Sequence, residues 1–400
     1  MNARLIISSI AVVASSIAAV ADKPLKVFIL AGQSNMQGKA RVRTIERLPM
    51  TDDGKPMYRV MMGKDGTPRA AEGVHGVYFT SGRQGDSVSA GPLSPGYGEH
   101  SDPNHSFGPE YTFGLYMQKH LDEPFLVIKT AWGGKNLLQQ FRSPSAGKAP
   151  VAESKVAKWK SEGKLDEEMA AHHKKTGEYY RLMMGHVQEV LADPGKYHPG
   201  YNKEAGYEIA GFAWFQGFND LVNGFYKEEK KDGENLYAPY SDLMATFIRD
   251  VRKDLKAPEM PFVIGVIGIG GPTDDTENGQ YWLRKAQEAP AALPEFKGNV
   301  AAVRTEHSWD MEWQRLNDKV RAAAEKKALA EKPELAKKPR AKSNEVKRLM
   351  KEVAAEVLTA DELKLREVGQ SNAAYHYNGS AYTMGKIGKA FADAMAKMMK

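Results

Sequence analysis

The sequence predicts an α/β fold built on a parallel β-sheet, and three consecutive segments carry this prediction. Residues 26–31 form an apolar run of β-favouring residues, and residues 125–130 form a second one. Between them, residues 111–120 have the apolar spacing of a helix, with Pro109 before the first turn. A strand, a helix and a second strand of these lengths are typical of a parallel sheet.

The same alternation continues to the end of the chain. Strands are predicted at residues 207–215, 262–267 and 299–304, and helices at residues 179–192, 240–255, 281–288 and 382–399. Residues 43–104 are interrupted by glycine, proline and methionine and have no sustained period. They predict long loops with short strands, such as residues 73–80.

Two polar segments predict exposed insertions into this domain. Residues 146–175 are rich in lysine, and residues 311–365 are dominated by Ala, Lys and Glu, with Pro333 and Pro339 dividing them into the arms of a helical hairpin. From residue 319 to residue 351, 12 Lys or Arg stand against 4 Glu, an excess larger than the net charge of +6 of the whole chain. The basic character therefore belongs to one segment, which is either a solvated excursion or a surface that attracts an acidic polysaccharide.

The N-terminal residues predict export. Arg4 precedes a short apolar run, and Ala19-Val20-Ala21 follows it, as in a secretory signal peptide rather than a membrane span. We expect residues 1–21 to be removed, residues 22–400 to form the folded domain, and the protein to be secreted or periplasmic. The chain contains no cysteine, which excludes disulfides, thiolate metal sites and a thiol nucleophile.

Three predicted strands end in small or polar residues that suit acyl transfer. Ser34 follows the first strand, Gly133-Gly134 the second, and the segment 216–220 the third, while His376 precedes the last helix. The carboxyl ends of parallel strands share one edge of a sheet, so a nucleophile, a base and oxyanion donors can meet there. The nucleophile elbow of α/β-hydrolases is disfavoured, because Met36 occupies the position of its second glycine.

These residues resemble a known family in their order along the chain. Gly32-Gln33-Ser34-Asn35-Met36, Gly133-Gly134, Gly217-Phe218-Asn219-Asp220 and His376 are similar to the four motif blocks of the SGNH (GDSL-like) hydrolases. Gln33 and Met36, with Trp214-Phe215-Gln216-Gly217, resemble the sialate O-acetylesterase branch, which includes plant and bacterial carbohydrate acetylesterases. The resemblance runs from about residue 26 to the C-terminus, apart from the insertions.

The resemblance implies a three-layer α/β/α, flavodoxin-like fold and a set of site residues. Ser34 would be the nucleophile and His376 the general base and then acid. The backbone N–H groups of Ser34 and Gly134 and the side-chain amide of Asn219 would form the oxyanion hole. Three further residues are expected to contact the substrate: Gln33, Gln216 and Trp132. We expect neither a metal nor a cofactor.

The sequence departs from the family pattern beside the histidine. SGNH enzymes usually carry Asp three residues before it, and Ala373 stands there. The orienting acid is therefore missing or comes from elsewhere, with Asp310, Glu306 and Glu367 as candidates by position, and a carbonyl oxygen can also hold an imidazole. Phe218 replaces the Glu of many relatives, which we expect to reshape the acyl or sugar pocket.

The preferred interpretation is an exported serine esterase that removes O-acetyl groups from a carbohydrate through an acyl-enzyme. A non-catalytic carbohydrate-binding protein on a degenerate SGNH scaffold is the alternative, suggested by Ala373. A hydrogen-bond acceptor within reach of the His376 ring would favour the enzyme. Nucleic-acid binding by the basic segment is disfavoured, because that segment lacks interleaved aromatic residues.

Overall fold

The computed structural model describes residues 23–80, 87–99, 106–228 and 236–400, and the predicted signal peptide lies outside them. Among these residues, seven strands form a central sheet: β1 (Leu25–Gly32), β3 (Val74–Thr80), β4 (Ser87–Pro92), β6 (Phe125–Ala131), β7 (Tyr207–Phe215), β8 (Phe262–Val266) and β9 (Val300–Arg304). Two short strands, β2 (Ala40–Arg41) and β5 (Ser106–Phe107), pair separately and antiparallel.

The helices alternate with these strands along the chain. They are α1 (Ser34–Gln37), α2 (Lys55–Met61), α3 (Pro109–Leu121), α4 (Glu153–Ser161), α5 (Leu165–Lys174), α6 (Glu178–Ala192), α7 (Phe218–Leu221), α8 (Gly224–Glu228), α9 (Ala238–Asp254), α10 (Gly279–Glu288), α11 (Met311–Glu331), α12 (Pro339–Val357), α13 (Ala360–Val368) and α14 (Ala381–Met398). In the part of the chain that the structure describes, no helix is both long enough and apolar enough to cross a membrane.

The strand order places β1 in the middle of the sheet. The order is β4-β3-β6-β1-β7-β8-β9, and among the described strands only β4 runs antiparallel to its neighbour. Gly32 at the end of β1 pairs with Ala131 of β6 on one side and with Phe215 of β7 on the other. The residues that follow these three strands therefore begin at the same height on one edge of the sheet.

Side chains of β7 show that helices cover both faces of the sheet. Trp214 packs against Phe247 of α9, with ring centroids 4.5 Å apart, and the next residue, Phe215, packs against Phe391 of α14 at 5.5 Å. Successive side chains of a strand point to opposite faces, so α9 and α14 lie on opposite sides. The predicted α/β class and its three layers are confirmed.

The segment from Met311 onward has a core of its own. Its helices α11 and α12 are joined by a 3₁₀ turn, Pro333–Lys337, and the short helix α13 follows. Buried side chains recur on α11 at helical spacing and meet those of the other two helices: Trp313, Leu316, Val320, Ala324, Ala328, Leu349, Val353 and Leu365. The segment is thus a helical hairpin with a third helix and a buried seam, and most of its other residues are at least partly exposed.

The loop prediction for residues 43–104 is wrong in one part. A 3₁₀ helix, Val42–Met50, and helix α2 occupy its first third. Pro49 and Gly54 interrupt the sequence period there, so two short helical pieces do not produce one recognisable pattern.

Candidate active site

The end of β1 presents Ser34 through a close contact with β7. A Cβ atom on Gly32 would lie 2.1 Å from the carbonyl oxygen of Phe215, so only glycine fits at this position. Gln33 N–H donates to the same oxygen at 3.2 Å. Ser34 then begins α1 and is 8% exposed. Its backbone N–H lies in the first turn of that helix and has no intrahelical acceptor.

The Gly133-Gly134 turn lies directly beside Ser34. A Cβ atom on Gly133 would be 3.6 Å from the Cβ of Ser34 and 2.9 Å from Oε1 of Gln37. Gly134 has a φ of +77°, and in the described ranges no atom beyond those of Gly134 and its two chain neighbours lies within 4 Å of the position its Cβ would take. The backbone at Gly134 therefore borders open space next to the serine, in a conformation that favours glycine.

Gln33 links the end of β1 to the segment after β7. Its Oε1 accepts hydrogen bonds from the backbone N–H groups of Gly217 (3.2 Å) and Asn219 (3.3 Å), which can only donate. This atom is therefore the amide oxygen, and Gln33 Nε2 donates to the Asn219 side chain at 3.0 Å. The Asn219 atom that receives this bond must be Oδ1, so Nδ2 is directed away from Gln33.

Three donors near Ser34 are left unused by the protein. In the described ranges, the N–H groups of Ser34 and Gly134 and the Nδ2 group of Asn219 have no hydrogen-bond acceptor. Each belongs to the segment that follows one of the three adjacent strands β1, β6 and β7. Unpaired donors at one edge are what a developing oxyanion requires.

A buried carboxylate holds two of these segments together. Asp220 accepts hydrogen bonds from the N–H groups of Leu137 (2.8 Å) and Leu138 (3.1 Å), from Gln216 Nε2 (2.6 Å) and from Tyr226 Oη (2.9 Å). Burial raises the pKa of Asp220 and the four donated hydrogen bonds oppose that rise. Asp220 thereby fixes the loop after Gly134 against the residues after β7.

A buried ion pair holds the C-terminal end of α1 in place. Lys129, on the otherwise apolar strand β6, donates to the carbonyl oxygen of Gln37 at 2.7 Å and to Oε2 of Glu110 at 2.7 Å. Both side chains are 1% exposed. Burial lowers the pKa of Lys129 and raises that of Glu110, while the mutual attraction of the pair opposes both shifts. The last residue of α1 is thus tied to β6 and α3.

A strained loop carries His376 to the same edge. After His376, the residues Tyr377 and Asn378 have left-handed φ values of +51° and +58°, each of which costs on the order of 1–2 kcal/mol. Buried hydrogen bonds hold this conformation: Gly268 N–H donates to Tyr377 Oη at 2.7 Å, and Thr305 Oγ1 lies 2.7 Å from the same oxygen. The ends of β8 and β9 therefore position the histidine.

His376 has a hydrogen-bond partner that the sequence analysis did not identify. Its Nδ1 lies 2.8 Å from Oδ1 of Asn372, and this oxygen also accepts the backbone N–H of Ala373 at 2.8 Å. The second bond identifies the Asn372 atom as oxygen, so Nδ1 of the neutral ring must carry the proton. Nε2 of His376 is then the unprotonated nitrogen, the form that a general base needs.

The surroundings of His376 favour its neutral form. Burial lowers the pKa of His376 to about 4, the charge of Lys39 acts in the same direction, and Glu99, the ion-pair partner of Lys39, opposes it weakly. Asn372 is uncharged and gives the imidazolium no compensating ion pair. The ring is therefore neutral over the whole physiological range.

Two of the three carboxylates considered for this role have other partners. Asp310 pairs with Arg47 through both oxygens, at 2.8 and 2.9 Å, and Glu306 accepts from Arg304 Nε at 2.6 Å. In the described part of the chain, neither they nor Glu367 forms a hydrogen bond with the His376 ring. All three candidates are wrong, and a neutral amide takes the place of the acid.

One hydrogen bond joins the neighbours of Ser34 and His376. Asn35 Nδ2 donates to the carbonyl oxygen of Tyr375 at 3.2 Å. Ser34 precedes the first of these residues and His376 follows the second. Among the residues that the structure describes, Ser34 Oγ forms no hydrogen bond with the histidine ring, and in ligand-free hydrolases that bond often tightens only with substrate.

The residues expected to contact substrate lie beneath the site. Gln33, Gln216 and Trp132 are each at most 3% exposed, and both glutamine amides bond within the protein. Their contact with substrate stays a prediction, and their burial assigns the glutamines to support of the site. Trp214, from the same motif as Gln216, does not line the site, because its side chain is fully buried against Phe247.

Asn372 was missed because the search followed the usual spacing of Asp and His. It stands four residues before His376, one position earlier than the usual acid. The available signal was an Asn at the start of a turn, since such side chains accept local backbone N–H groups. In the described ranges, no cluster of three or more His, Asp or Glu residues suits a metal ion.

One family model matches most of the chain. A family model described as carbohydrate esterase, sialic acid-specific acetylesterase, matches residues 24–319. Ser34, Gly134 and Asn219 lie within the matched segment, and His376 lies C-terminal to it. No curated protein matches the chain.

The solved structures that resemble this one include two for which the similarity can be described. The first is a carbohydrate acetylesterase from Xanthomonas citri, with 15% identity, a TM-score of 0.37 and coverage of 69% of this chain and 49% of the other. The chain thus spans about half the length of that enzyme. The second is a protein from Arabidopsis thaliana, with 17% identity, a TM-score of 0.38 and coverage of 70% and 86%. Both TM-scores are low, and the fold follows from the strand order of this chain.

Proposed function

The chain belongs to the carbohydrate esterase family of sialic acid-specific acetylesterases, and from this premise we propose that it is an exported serine esterase that removes O-acetyl groups from a carbohydrate. One observation carries the proposal: the Ser34 hydroxyl lies at the same edge of the sheet as three N–H donors that have no acceptor in the described part of the protein. The fold is proposed to be that of the SGNH hydrolases. Export rests on the N-terminal sequence alone, and sequencing the N-terminus of secreted protein tests it.

In the proposed reaction, Ser34 Oγ attacks the acetyl carbonyl carbon and His376 Nε2 takes the hydroxyl proton. The negative charge on the carbonyl oxygen is met by Ser34 N–H, Gly134 N–H and Asn219 Nδ2. The sugar alcohol leaves with the proton from His376, and an acetyl group stays on Ser34. Water, deprotonated by the same nitrogen, then releases acetate and restores the serine.

The alternative of a non-catalytic carbohydrate-binding protein is less well supported. It was suggested by Ala373, which leaves the usual acid position empty. Asn372 Oδ1 lies 2.8 Å from Nδ1 of His376. A histidine held in its basic tautomer favours catalysis over simple binding.

We expect an unusually low acid limit for the activity. Since kcat/KM reports the free enzyme, its acid limb should lie near the pKa of about 4 of His376. Replacing Asn372 with Asp puts a carboxylate beside Nδ1–H, stabilises the imidazolium and should move the limb upward by roughly 1–3 pH units. The measurement is kcat/KM against pH for both proteins.

A matched control for this charge change is Asn344→Asp, which makes the same substitution on α12. The control should leave the pH profile where it is. Two results would contradict the assignment of Asn372. One is an acid limb of the wild-type kcat/KM profile near pH 6.5, the ordinary pKa of histidine. The other is an acid limb that does not move in Asn372→Asp.

We expect acetyl esters to be preferred over longer acyl esters. Two polar side chains lie close to the serine, since Gln37 Oε1 would be 2.9 Å from a Cβ on Gly133 and Asn219 is held by Gln33, so additional methylene groups beside them would gain little burial. Purified protein should release acetate from acetylated glycans and cleave an aryl acetate at least about tenfold faster than the octanoyl ester, by kcat/KM. Equal efficiency on the octanoyl ester would indicate a lipase-like enzyme.

The sugar is best identified with a panel of O-acetylated sialic acid, acetylated xylo-oligosaccharide and an acetylated uronic polysaccharide. An acidic polysaccharide was suggested by the basic segment within residues 311–365, but several of its cations have partners there. Lys327 lies 3.6 Å from Glu352, Lys332 2.9 Å from Glu345 and Lys342 2.7 Å from Glu325. A salt-sensitive preference for the acidic member of the panel would restore that suggestion.

A further inference from the structure

Tyr375 exposes an aromatic ring at the edge where the catalytic groups meet. Its side chain is 47% exposed, although the residue precedes the buried turn Tyr377–Gly379. With the half-buried ring of Phe218, on which it stacks, it forms an apolar surface bordered by polar groups, and surfaces of this kind mark ligand-binding grooves.

Tyr375 contacts the neighbours of Ser34 and Asn219 and the ring of His376. It stacks on Phe218, with centroids 5.6 Å apart and planes 25° apart, and Phe218 directly precedes Asn219. Its backbone carbonyl accepts the bond from Asn35, which follows Ser34. Its centroid lies 4.4 Å from that of the His376 ring. The stacked pair Tyr375 and Phe218 is therefore fixed at the mouth of the site.

We propose that this pair is a platform that binds the apolar face of the sugar ring whose acetyl ester is cleaved. The proposal rests on the function proposed above and specifies its substrate side. One face of a pyranose presents C–H groups with partial positive charge, and these complement the negative face of an aromatic ring. The platform lies beside the nucleophile and the base, so a sugar seated on it holds its ester close to Ser34.

The test separates sugar binding from chemistry by using two substrates. One is an acetylated xylo-oligosaccharide or O-acetylated sialic acid, whichever the wild type cleaves faster. The other is trifluoroethyl acetate, an activated aliphatic ester with no ring to stack on the platform. Tyr375→Ala should lower kcat/KM on the sugar ester roughly five- to tenfold, mainly through KM. The value for trifluoroethyl acetate should stay within about twofold of wild type.

Rescue and control variants sharpen the result. Tyr375→Phe and Tyr375→Trp keep an aromatic face and should retain sugar-ester activity. Tyr207→Ala removes another exposed tyrosine, 39% exposed, at the start of β7 and thus at the opposite edge of the sheet. It should leave both substrates unaffected.

Two outcomes would overturn the platform. An equal loss on both substrates would mean that the ring positions His376 instead of binding sugar, and an unchanged sugar-ester activity in Tyr375→Ala would mean that it does neither. Failure of the wild type to cleave any acetate ester would instead refute the proposed function, so the two failures are distinguishable.

Discussion

Replacing Ser34 with alanine is expected to reduce hydrolysis of a short aryl acetate by on the order of 10⁴-fold or more while the fold stays intact. Ser34 is the group that forms the acyl-enzyme in the proposed reaction, and among the residues that the structure describes no other nucleophile is placed with the three unused donors. The substitution removes one oxygen from a side chain that is 8% exposed. Its Oγ makes no hydrogen bond within the described ranges, so little stability should be lost.

The measurement is kcat for both proteins, with circular dichroism and Tm as checks of folding. Ser143→Ala is a matched control, because Ser143 is also buried and, in the described part of the chain, its hydroxyl has no hydrogen-bond partner. It should retain full activity. An organophosphorus probe should label the wild type at Ser34 and leave Ser34→Ala unlabelled. Unchanged turnover in a folded Ser34→Ala protein would refute the assignment of the nucleophile.

The central sheet was predictable because its strands are buried on both faces. The seven residues of β6 are all buried, and a continuous apolar run such as 125–130 is the direct consequence. The prediction of 207–215 matches β7 at both ends. Neither β4 nor its antiparallel pairing with β3 was predicted, because its sequence, Ser-Val-Ser-Ala-Gly-Pro, is short and polar.

The helical segment after Met311 contains a buried seam that its composition did not predict. Its abundance of charge predicted a solvated hairpin, and most of its residues are at least partly exposed, but Leu316, Val320 and Ala324 recur at helical spacing and are fully buried. Alanine packs well between helices but adds little to an apolar pattern. The third helix, α13, begins with a capping box formed by Thr359 and Glu362, a signal that was present in the sequence.

At the site, the order of motifs predicted which residues meet, but not the orientation of their side chains. Trp214 lies two residues after Phe212, so strand alternation places both on one face. That face packs on Phe247 of α9, and the sequence signal for burial of Trp214 was therefore available. By contrast, the contact between Gln33 and Asn219 joins residues far apart in the chain. No local pattern reports such a contact.

Asn219→Ala is expected to lower kcat by about 10²–10³-fold with a small change in KM, since it removes a donor used mainly in the transition state. The orientation of that donor depends on Gln33, whose Oε1 accepts two backbone N–H groups and whose Nε2 holds Asn219 Oδ1. In Gln33→Glu, an oxygen that can only accept hydrogen bonds replaces Nε2. The Asn219 amide would then turn to donate Nδ2–H to this oxygen, so that Oδ1, rather than Nδ2, faces the developing negative charge.

Gln33→Glu should therefore lose at least as much kcat as Asn219→Ala, and the double variant Gln33→Glu/Asn219→Ala should lose no more than the more damaged single variant. Such non-additivity is the signature of two residues that act through one hydrogen bond. Folding is checked by Tm, because Gln33→Glu places an acid in a buried position. Additive losses in folded proteins would show that Gln33 does not orient Asn219, and an unaffected kcat in Asn219→Ala would remove Asn219 from the oxyanion hole.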